Sequence, residues 1–226
     1  MEPIAVDFPL RGEWMAPTTP GYKVPSHGTD LLAQTYAYDF CQINWRYPKR
    51  MQCYRKSYIS ALLLGVRLKE CLCWSQPVFA PFSGDIVESF NGIKERDPVH
   101  CIREQYEVFK NIILFKKNKI SNLNILIGNH IVLRGIQCFA LFAHLRTNSI
   151  KVKIGDKVKT GAKIAEVGHS GNSTMPHLHF QLMDGLSLKN AKGLPCCFRR
   201  YEVFEQGAWR NVTNGIPGRY EQIRVI

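Results

Sequence analysis

The chain has 226 residues, of which 45% are hydrophobic and 21% are charged. These proportions fit a soluble globular protein and exclude the disordered and collagen-like classes. The longest apolar stretch, near residues 59–66, is much shorter than the roughly 20 residues that cross a bilayer, so we expect no membrane span.

The net charge of +12 suggests a nucleic-acid partner at first, because Lys and Arg bind phosphates. Residues 41–76 hold seven Lys and Arg residues against one Glu, a net +6. No zinc finger, basic zipper or aromatic RNA-binding motif accompanies this charge. We therefore expect no nucleic-acid partner.

The amino terminus and the cysteines indicate the compartment. Glu2 and Asp7 stand where an export signal needs basic residues followed by an apolar stretch. This pattern predicts a cytoplasmic protein unless lysis or a dedicated secretion route releases it. The eight cysteines are scattered, which favours free thiols, and the spacings CLC and CC are not the CxxC pairs of structural zinc sites.

The first predicted elements flank the basic segment. Residues Tyr36 to Phe40 alternate as a strand does, and SYISALLLGV, inside the basic insertion 41–76, predicts a short helix. PVFAPFSGDIVESF then predicts two strands that are separated by a Ser-Gly turn.

The later elements begin with a second insertion. Apolar residues recur at steps of four, three and four from Ile102 to Ile113, which predicts a helix. GNHIVLRGIQCFALFAHL predicts two strands that meet near Gly135, and KIGDKVKTGAKIAEVGHSG predicts two short strands between glycine turns. We expect one all-β domain over residues 1–226, with an antiparallel sheet core and short helical insertions. Its parts are core motifs 27–184, a basic insertion 41–76, a helical insertion 92–127 and a C-terminal extension 185–226.

The last predicted strand, in PHLHFQLMD, carries a polar face. Alternation places His177, His179 and Gln181 on one face of this strand and apolar residues on the other. Two imidazoles side by side on a strand suit a metal site or a proton-transfer site.

Further ligands come from earlier in the chain. A catalytic zinc ion takes three protein ligands, commonly His with one carboxylate, and leaves a fourth position open. His27 and Asp39 supply such a pair, and we favour Asp39 over Asp30 because Asp30 lies in a turn just after His27. His144 ends the apolar strand CFALFAHL, where its ring can reach a site. We expect three other histidines to be surface or core residues: His100, His130 and His169.

The runs FAHL and KIGDKVKTGAKIAEVGHSGNSTMPHLHFQLMD closely resemble the lysostaphin-type, or LytM-like, zinc endopeptidases of bacterial cell walls. QPVFAPFSGDIV resembles an earlier segment of that family, so the resemblance covers about 78–184 and extends with gaps to His27. SGNST-x-PHLHF is intact except for Met175, where Gly is common, and Gln181, where Glu is common.

This resemblance implies an antiparallel fold of the duplicated hybrid motif type. It also implies zinc-dependent hydrolysis of stem peptides or cross-links in peptidoglycan, with peptidoglycan peptides or another peptide as the partner. By the same resemblance His179 is a zinc ligand, and His144 and His177 are the catalytic histidines, either of which can be the general base.

The first ligand pair departs from the family spacing HxxxD. HGTD is one residue short, and position 35, four residues before Asp39, is Thr35. Some members of the family place the histidine further ahead of a YAYDF-like strand. This arrangement implies that His27 and Asp39 are the ligands.

Two other functions stay open at this point. The irregular spacing and the missing export signal fit a catalytically silent relative that acts as a wall-binding or regulatory module. The pattern V..GD.V..G..I also resembles lipoyl or biotinyl carrier hairpins, but the turn from Gly168 to Gly171 has no lysine to modify. For a cell-wall protein, the basic insertion 41–76 is expected to bind wall anions.

Overall fold

The structure is a computed structural model that describes residues 1–117 and 122–226. Strands dominate these ranges, and the helices are few and mostly short. The strands are β1 (Ile4–Val6), β2 (Gly12–Thr18), β3 (Tyr38–Cys41), β4 (Pro77–Phe79), β5 (Gly84–Phe90), β6 (Asn129–Arg134), β7 (Phe139–Leu145), β8 (Lys157–Val158), β9 (Lys163–Glu166), β10 (Leu178–Met183), β11 (Gly193–Leu194), β12 (Cys196–Glu205), β13 (Ala208–Gly215) and β14 (Ile223–Val225).

The helices lie in the two predicted insertions. They are α1 (Tyr58–Leu64), α2 (Cys101–Lys116) and α3 (Asn124–Ile127), and single 3-10 turns occupy Leu31–Ala33, Pro48–Arg50 and Leu68–Glu70. Helix α1 begins after Ser57, whose hydroxyl accepts from the backbone of Ser60, and ends at Gly65, where φ is 69°. Within the described ranges, no helix combines the length and apolar character needed to cross a membrane.

One large sheet organises the molecule. Its strand order is β1-β12-β14-β2-β3-β10-β7-β6-β5-β8, with β11 beside β10, β13 beside β12, and β4 and β9 forming a separate two-stranded sheet. The prediction of an all-β, largely antiparallel fold is confirmed. The pair β1 and β12 is parallel, which the sequence analysis did not predict.

Both faces of the central strands are buried. On one face the main core contains Phe180 of β10 together with Phe40 of β3 and Phe142 of β7. On the other face a smaller apolar cluster includes Leu141 and Met183. The candidate site lies on the second face. The first face packs in the main core and so holds in place the strands that carry the polar groups of the site.

Helix α2 forms where the apolar steps predicted it, but those steps do not mark its buried side. Ile102, Tyr106 and Phe109 are exposed, while Glu104 of the same helix is buried. The helix is amphipathic in the sequence, yet its most apolar stripe faces solvent. The C-terminal extension 185–226 contributes β11 to β14 and so enlarges the main sheet.

The eight cysteines all lie in the described ranges and are free thiols. Cys101 is exposed and Cys53 is partly buried, whereas the other six are buried.

Candidate metal centre

Strand register brings two of the predicted ligands together. In the antiparallel pair of β3 and β10, Asp39 lies directly opposite His179. Opposite residues of such a pair project from the same face of the sheet with their Cβ atoms about 5 Å apart. Two residues that are 140 positions apart in the sequence therefore meet through backbone hydrogen bonding alone.

His144 reaches the same face through a local break in β7. Its neighbour Ala143 pairs with His179 and lines the site, so regular alternation would send His144 to the opposite face. A β-bulge against β6 interrupts the alternation, and His144 adopts a φ of 60°. Its ring centroid lies 4.8 Å from that of His177 and 5.9 Å from that of His179.

The rings of His27 and His179 face the carboxylate of Asp39. His27 Nε2 lies 3.0 Å from Oδ2, and His179 Nδ1 lies 3.0 Å from Oδ1. The other nitrogen of each ring contacts a side-chain oxygen: His27 Nδ1 is 3.1 Å from Ser26 Oγ, and His179 Nε2 is 2.9 Å from Gln181 Oε1.

These outer contacts decide which ring nitrogens carry a proton. Gln181 Nε2 and Ser26 Oγ each donate to a backbone carbonyl, so their oxygens accept from the histidine beside them. The nitrogens of His27 and His179 that face Asp39 therefore present lone pairs when the rings are neutral. Two lone pairs that face an ionised carboxylate repel it unless a cation lies between them. Two histidines and one aspartate are a donor set that suits zinc, so these residues fit that metal.

The other two histidines are held by backbone carbonyls of the segment SGNST-x-P. His144 Nδ1 donates to Ser170 O at 2.9 Å, and His177 Nδ1 donates to Met175 O at 2.8 Å. Because a carbonyl oxygen only accepts, both Nδ1 atoms carry a proton, and in a neutral ring Nε2 is then left with a lone pair. His177 Nε2 lies 3.5 Å from Asp39 Oδ1 and so borders the cluster.

Close backbone packing explains a glycine of this segment. Gly171 has a φ of 72°, and a Cβ there would lie 2.4 Å from the nitrogen of Gly128. The loop can approach the end of α3 only without that side chain. This contact fixes the carbonyl of Ser170 that orients His144.

Burial and charge tune the cluster in opposite ways. Burial alone would raise the pKa of Asp39, but the nearby rings of His27, His177 and His179, which stabilise the ionised carboxylate when they are protonated toward it, hold the pKa well below its usual value. Burial, with His177 and His179 nearby, lowers the pKa of His144 well below its usual value. Around pH 7 the cluster therefore combines an ionised carboxylate with a neutral His144.

All five predicted site residues border one cavity of about 470 Å³. They are His27, Asp39, His144, His177 and His179. Asp30, the alternative ligand, is exposed and accepts a hydrogen bond from Thr35 Oγ1 at 2.9 Å instead. His130 is a buried histidine bonded to Gly128 O and Glu88, and it does not border the cavity.

Comparison with known families gives a match. Residues 110–191 match peptidase family M23. This match supports the predicted resemblance to LytM-like peptidases for that segment, which is about a third of the chain. The matched segment contains His144, His177 and His179, whereas His27 and Asp39 precede it.

Individual proteins are similar to parts of this chain. An uncharacterized metalloprotease of Buchnera aphidicola is 39% identical over 67 residues, which are 30% of this chain and 18% of that protein. Glycyl-glycine endopeptidase ALE-1 of Staphylococcus capitis is 40% identical over 55 residues, 24% of this chain and 15% of that protein. The chain thus aligns with less than a fifth of either protein's length.

Among solved structures, the catalytic domain of the antimicrobial peptidase lysostaphin from Staphylococcus simulans is similar at 24% identity. The match covers 67% of this chain and 95% of that domain, with a TM-score of 0.34.

A buried network behind the site had no role in the sequence analysis. Arg96 donates to the carbonyls of Gly171 and Ser173 at 3.0 Å each and also pairs with Glu104 of α2. Glu104 Oε2 lies 3.5 Å from His169 Nε2, and His169 Nδ1 contacts Ser173 Oγ at 3.0 Å. The network joins the helical insertion to the segment that orients the catalytic candidates. Its members are far apart in sequence, so no local pattern in the chain could have revealed it.

Proposed function

We propose that this chain is a zinc-dependent endopeptidase that hydrolyses peptide bonds in peptidoglycan. One observation carries the proposal: the carboxylate of Asp39 lies 3.0 Å from a ring nitrogen of His27 and 3.0 Å from a ring nitrogen of His179, with His144 and His177 at the same cavity. A silent wall-binding module would have no need for this donor set.

The names of relatives support the same class of reaction. One relative is described as a metalloprotease and the other as a glycyl-glycine endopeptidase. Both descriptions concern hydrolysis of peptide bonds. The peptidoglycan substrate comes from the family resemblance, and the closing experiment tests it.

In this proposal His27, Asp39 and His179 hold the metal. Zinc supplies a Lewis acid that polarises a peptide carbonyl and makes a water acidic near neutral pH. The protein contributes the orientation of its ligands, because Ser26 and Gln181 fix the proton on the outer nitrogen of each ligand ring.

The same cavity offers two histidines for proton transfer. The chain contains no HExxH motif, so no helical glutamate is offered as the general base. His177 and His144 each bond a backbone carbonyl through Nδ1, and burial lowers the pKa of His144, so that its ring is neutral near pH 7 and its Nε2 has a lone pair. One ring would accept the proton of the attacking water at Nε2 and then pass that proton to the leaving amine. The other ring could donate to the oxyanion only in the form that carries a proton on Nε2.

The test separates metal binding from proton transfer. Purified His179→Ala and His177→Ala variants are compared for zinc per chain and for release of peptides from purified peptidoglycan. We expect both variants to lose hydrolysis and only His179→Ala to lose zinc. His100→Ala is the control, because His100 does not border the cavity. If His179→Ala kept one zinc per chain, or if wild-type protein with zinc released nothing, the proposal would be wrong.

A further inference from the structure

Three buried polar side chains connect His177 to helix α2, and we call them the buried triad: Ser173, His169 and Glu104. Ser173 Oγ lies 3.2 Å from His177 Nδ1 and 3.0 Å from His169 Nδ1. His169 Nε2 in turn lies 3.5 Å from Glu104 Oε2. No member of the triad borders the cavity, so its link to the proposed reaction is the contact between Ser173 and His177.

The triad is shielded from water. Each of its three members is 0% exposed. A buried polar group needs a partner within the protein, because water cannot replace one that is missing. The proton positions in the triad are therefore set by the contacts between its own members and their neighbours.

The charge of Glu104 determines the proton position on His169. Burial opposes the ionisation of Glu104, but hydrogen bonds from His169 and from two arginines lower its pKa to about 2, so it is a carboxylate near pH 7. Burial lowers the pKa of His169, so that its ring is neutral and carries a single proton. A lone pair on Nε2 would be repelled by the carboxylate. The proton therefore lies on Nε2, and Nδ1 is left as an acceptor.

Ser173 joins the two imidazole rings through its hydroxyl group. The hydroxyl has one proton, which it donates to Nδ1 of His169. Met175 O also lies 2.7 Å from Ser173 Oγ, but this carbonyl already accepts from His177 Nδ1 at 2.8 Å. The lone pairs of Ser173 Oγ then accept from the same Nδ1 of His177. This arrangement leaves no donor or acceptor of the triad without a partner, whereas the reverse direction leaves a bare Nε2 against a carboxylate.

From this geometry we infer that the buried triad positions His177 for proton transfer. Met175 O alone gives the Nδ1 proton one acceptor, about which the ring can tilt. Ser173 Oγ is a second acceptor, and His169 and Glu104 hold it in place. The inference rests on the proposed peptide hydrolysis and adds positioning residues that act through His177. A displacement of about 1 Å in a reacting group can cost on the order of 100-fold in rate, so the effect is measurable.

Two substitutions at His169 separate hydrogen bonding from packing. His169→Asn keeps an oxygen near the place of Nδ1 that can accept from Ser173, whereas His169→Phe keeps a ring and removes both nitrogens. Ser173→Ala removes the hydroxyl between the two rings. Its control is Ser149→Ala, because Ser149 is also buried and donates to a backbone carbonyl, Arg146 O at 2.8 Å, but does not border the cavity.

The experiment measures kcat and KM of the zinc-loaded proteins on soluble cross-linked fragments of purified peptidoglycan. We expect Ser173→Ala and His169→Phe to lower kcat by about 10- to 100-fold with little change in KM, because the orientation of His177 matters in the chemical step. His169→Asn should recover most of this loss, and Ser149→Ala should keep the wild-type kcat. Zinc per chain and urea unfolding are measured for each variant. A role confined to stability would lower the unfolding midpoint and leave kcat of the folded protein unchanged.

Nitrogen-15 NMR of the histidine rings tests the proton positions without turnover. In the wild type, the His169 signals should report a neutral ring with its proton on Nε2. A proton on Nδ1 of His169 would overturn the inference, as would wild-type kcat in Ser173→Ala or equal kcat in His169→Phe and His169→Asn. Each of these results would leave the proposed hydrolysis standing. If wild-type protein with zinc hydrolysed no fragment, the proposed function would be wrong and the positioning role with it.

Discussion

At the scale of single residues, His144 adopts a strained backbone conformation at the candidate site. A φ of 60° is unfavourable for a residue with a side chain, and such conformations cost about 1–3 kcal/mol. The bulge in β7 and the hydrogen bond to Ser170 maintain this conformation. The surrounding packing thus maintains a strained conformation at His144. A catalytic role for this ring would explain why the strain is retained.

Gln181 is predicted to control metal affinity through His179. Its Oε1 accepts from His179 Nε2, and its amide donates to Leu32 O. Gln181→Leu removes both contacts, so the ring is free to rotate and to exchange its proton. Loss of such an outer contact typically costs 10- to 100-fold in metal affinity, and we expect about that loss in a zinc competition assay with a chromogenic chelator.

Gln181→Glu is the matched variant, because its carboxylate keeps an acceptor for His179 Nε2. We expect it to bind zinc far more tightly than Gln181→Leu. Urea unfolding of the three proteins shows whether the fold is preserved. Equal zinc affinity in Gln181→Leu and wild type would refute the role of Gln181.

The sequence indicated the candidate site residues more readily than the residues that orient them. The HxH pair projects two rings from one strand, and the alternating run around Asp39 identified the strand that pairs beside it. Spacing also distinguished Asp39 from the turn residue Asp30. The roles of Gln181 and Ser26 depend on tertiary contacts, so the sequence offered no signal for them beyond their polarity.

At the scale of elements, the buried carboxylate of Glu104 links α2, through Arg96, to the segment SGNST-x-P. Glu104 is fully buried and pairs with Arg96, Arg103 and His169. Burial opposes its ionisation, but hydrogen bonds from His169, Arg103 and Arg96 outweigh burial and lower the pKa of Glu104 to about 2.

This pKa predicts a stability that depends on acid. A carboxylate with a lowered folded pKa contributes its full stabilisation above its unfolded pKa, near 4.5, and loses it as pH falls toward 2. Glu104→Gln mimics the protonated form. The difference in free energy of unfolding between wild type and Glu104→Gln should therefore be largest above pH 5 and shrink steadily down to pH 2.

Urea unfolding at pH 6, 4 and 3 measures this difference. Glu107→Gln is the control on the same helix, because Glu107 pairs with Lys110 at the partly exposed surface, where ion pairs contribute about 0–1 kcal/mol. A constant gap between wild type and Glu104→Gln over this pH range would contradict the prediction.

Helix α2 also shows where sequence patterns stop being informative. Its apolar steps predicted a helix correctly, yet the stripe they define is exposed, and the cavity takes the side with Val108, Ile112 and Phe115. Periodicity gives the type of element, whereas the partner that an insertion packs against is set by distant segments. The bulge in β7 is a similar case, since nothing in CFALFAHL marks its extra residue.

At the scale of the whole molecule, we expect the positions of the positive charges to matter more for binding than the net charge of +12. Exposed Arg46, Arg50 and Arg55 lie in the basic insertion 41–76, away from the residues that line the cavity. Peptidoglycan carries carboxylates on its stem peptides, and many bacterial walls carry phosphates on attached polymers. A cationic surface would concentrate the protein on such a substrate.

The prediction is that the basic insertion, more than net charge, drives binding to purified cell wall. One variant replaces four of its residues with Gln: Arg46, Lys49, Arg50 and Arg55. The control replaces four exposed lysines with Gln elsewhere: Lys151, Lys153, Lys157 and Lys159. Both proteins lose the same net charge, so a difference between them reports position.

We expect the first variant to lose several-fold more wall binding than the control in a pelleting assay at low salt. Surface charges are screened within about 10 Å at 0.1 M salt, so the difference should fade as salt is raised. Hydrolysis of a short soluble peptide should be equal in both variants, because it does not depend on attachment to the wall. Equal loss of wall binding in the two variants would show that net charge alone drives binding. Unchanged binding in both variants would show that the net positive charge has no part in attachment.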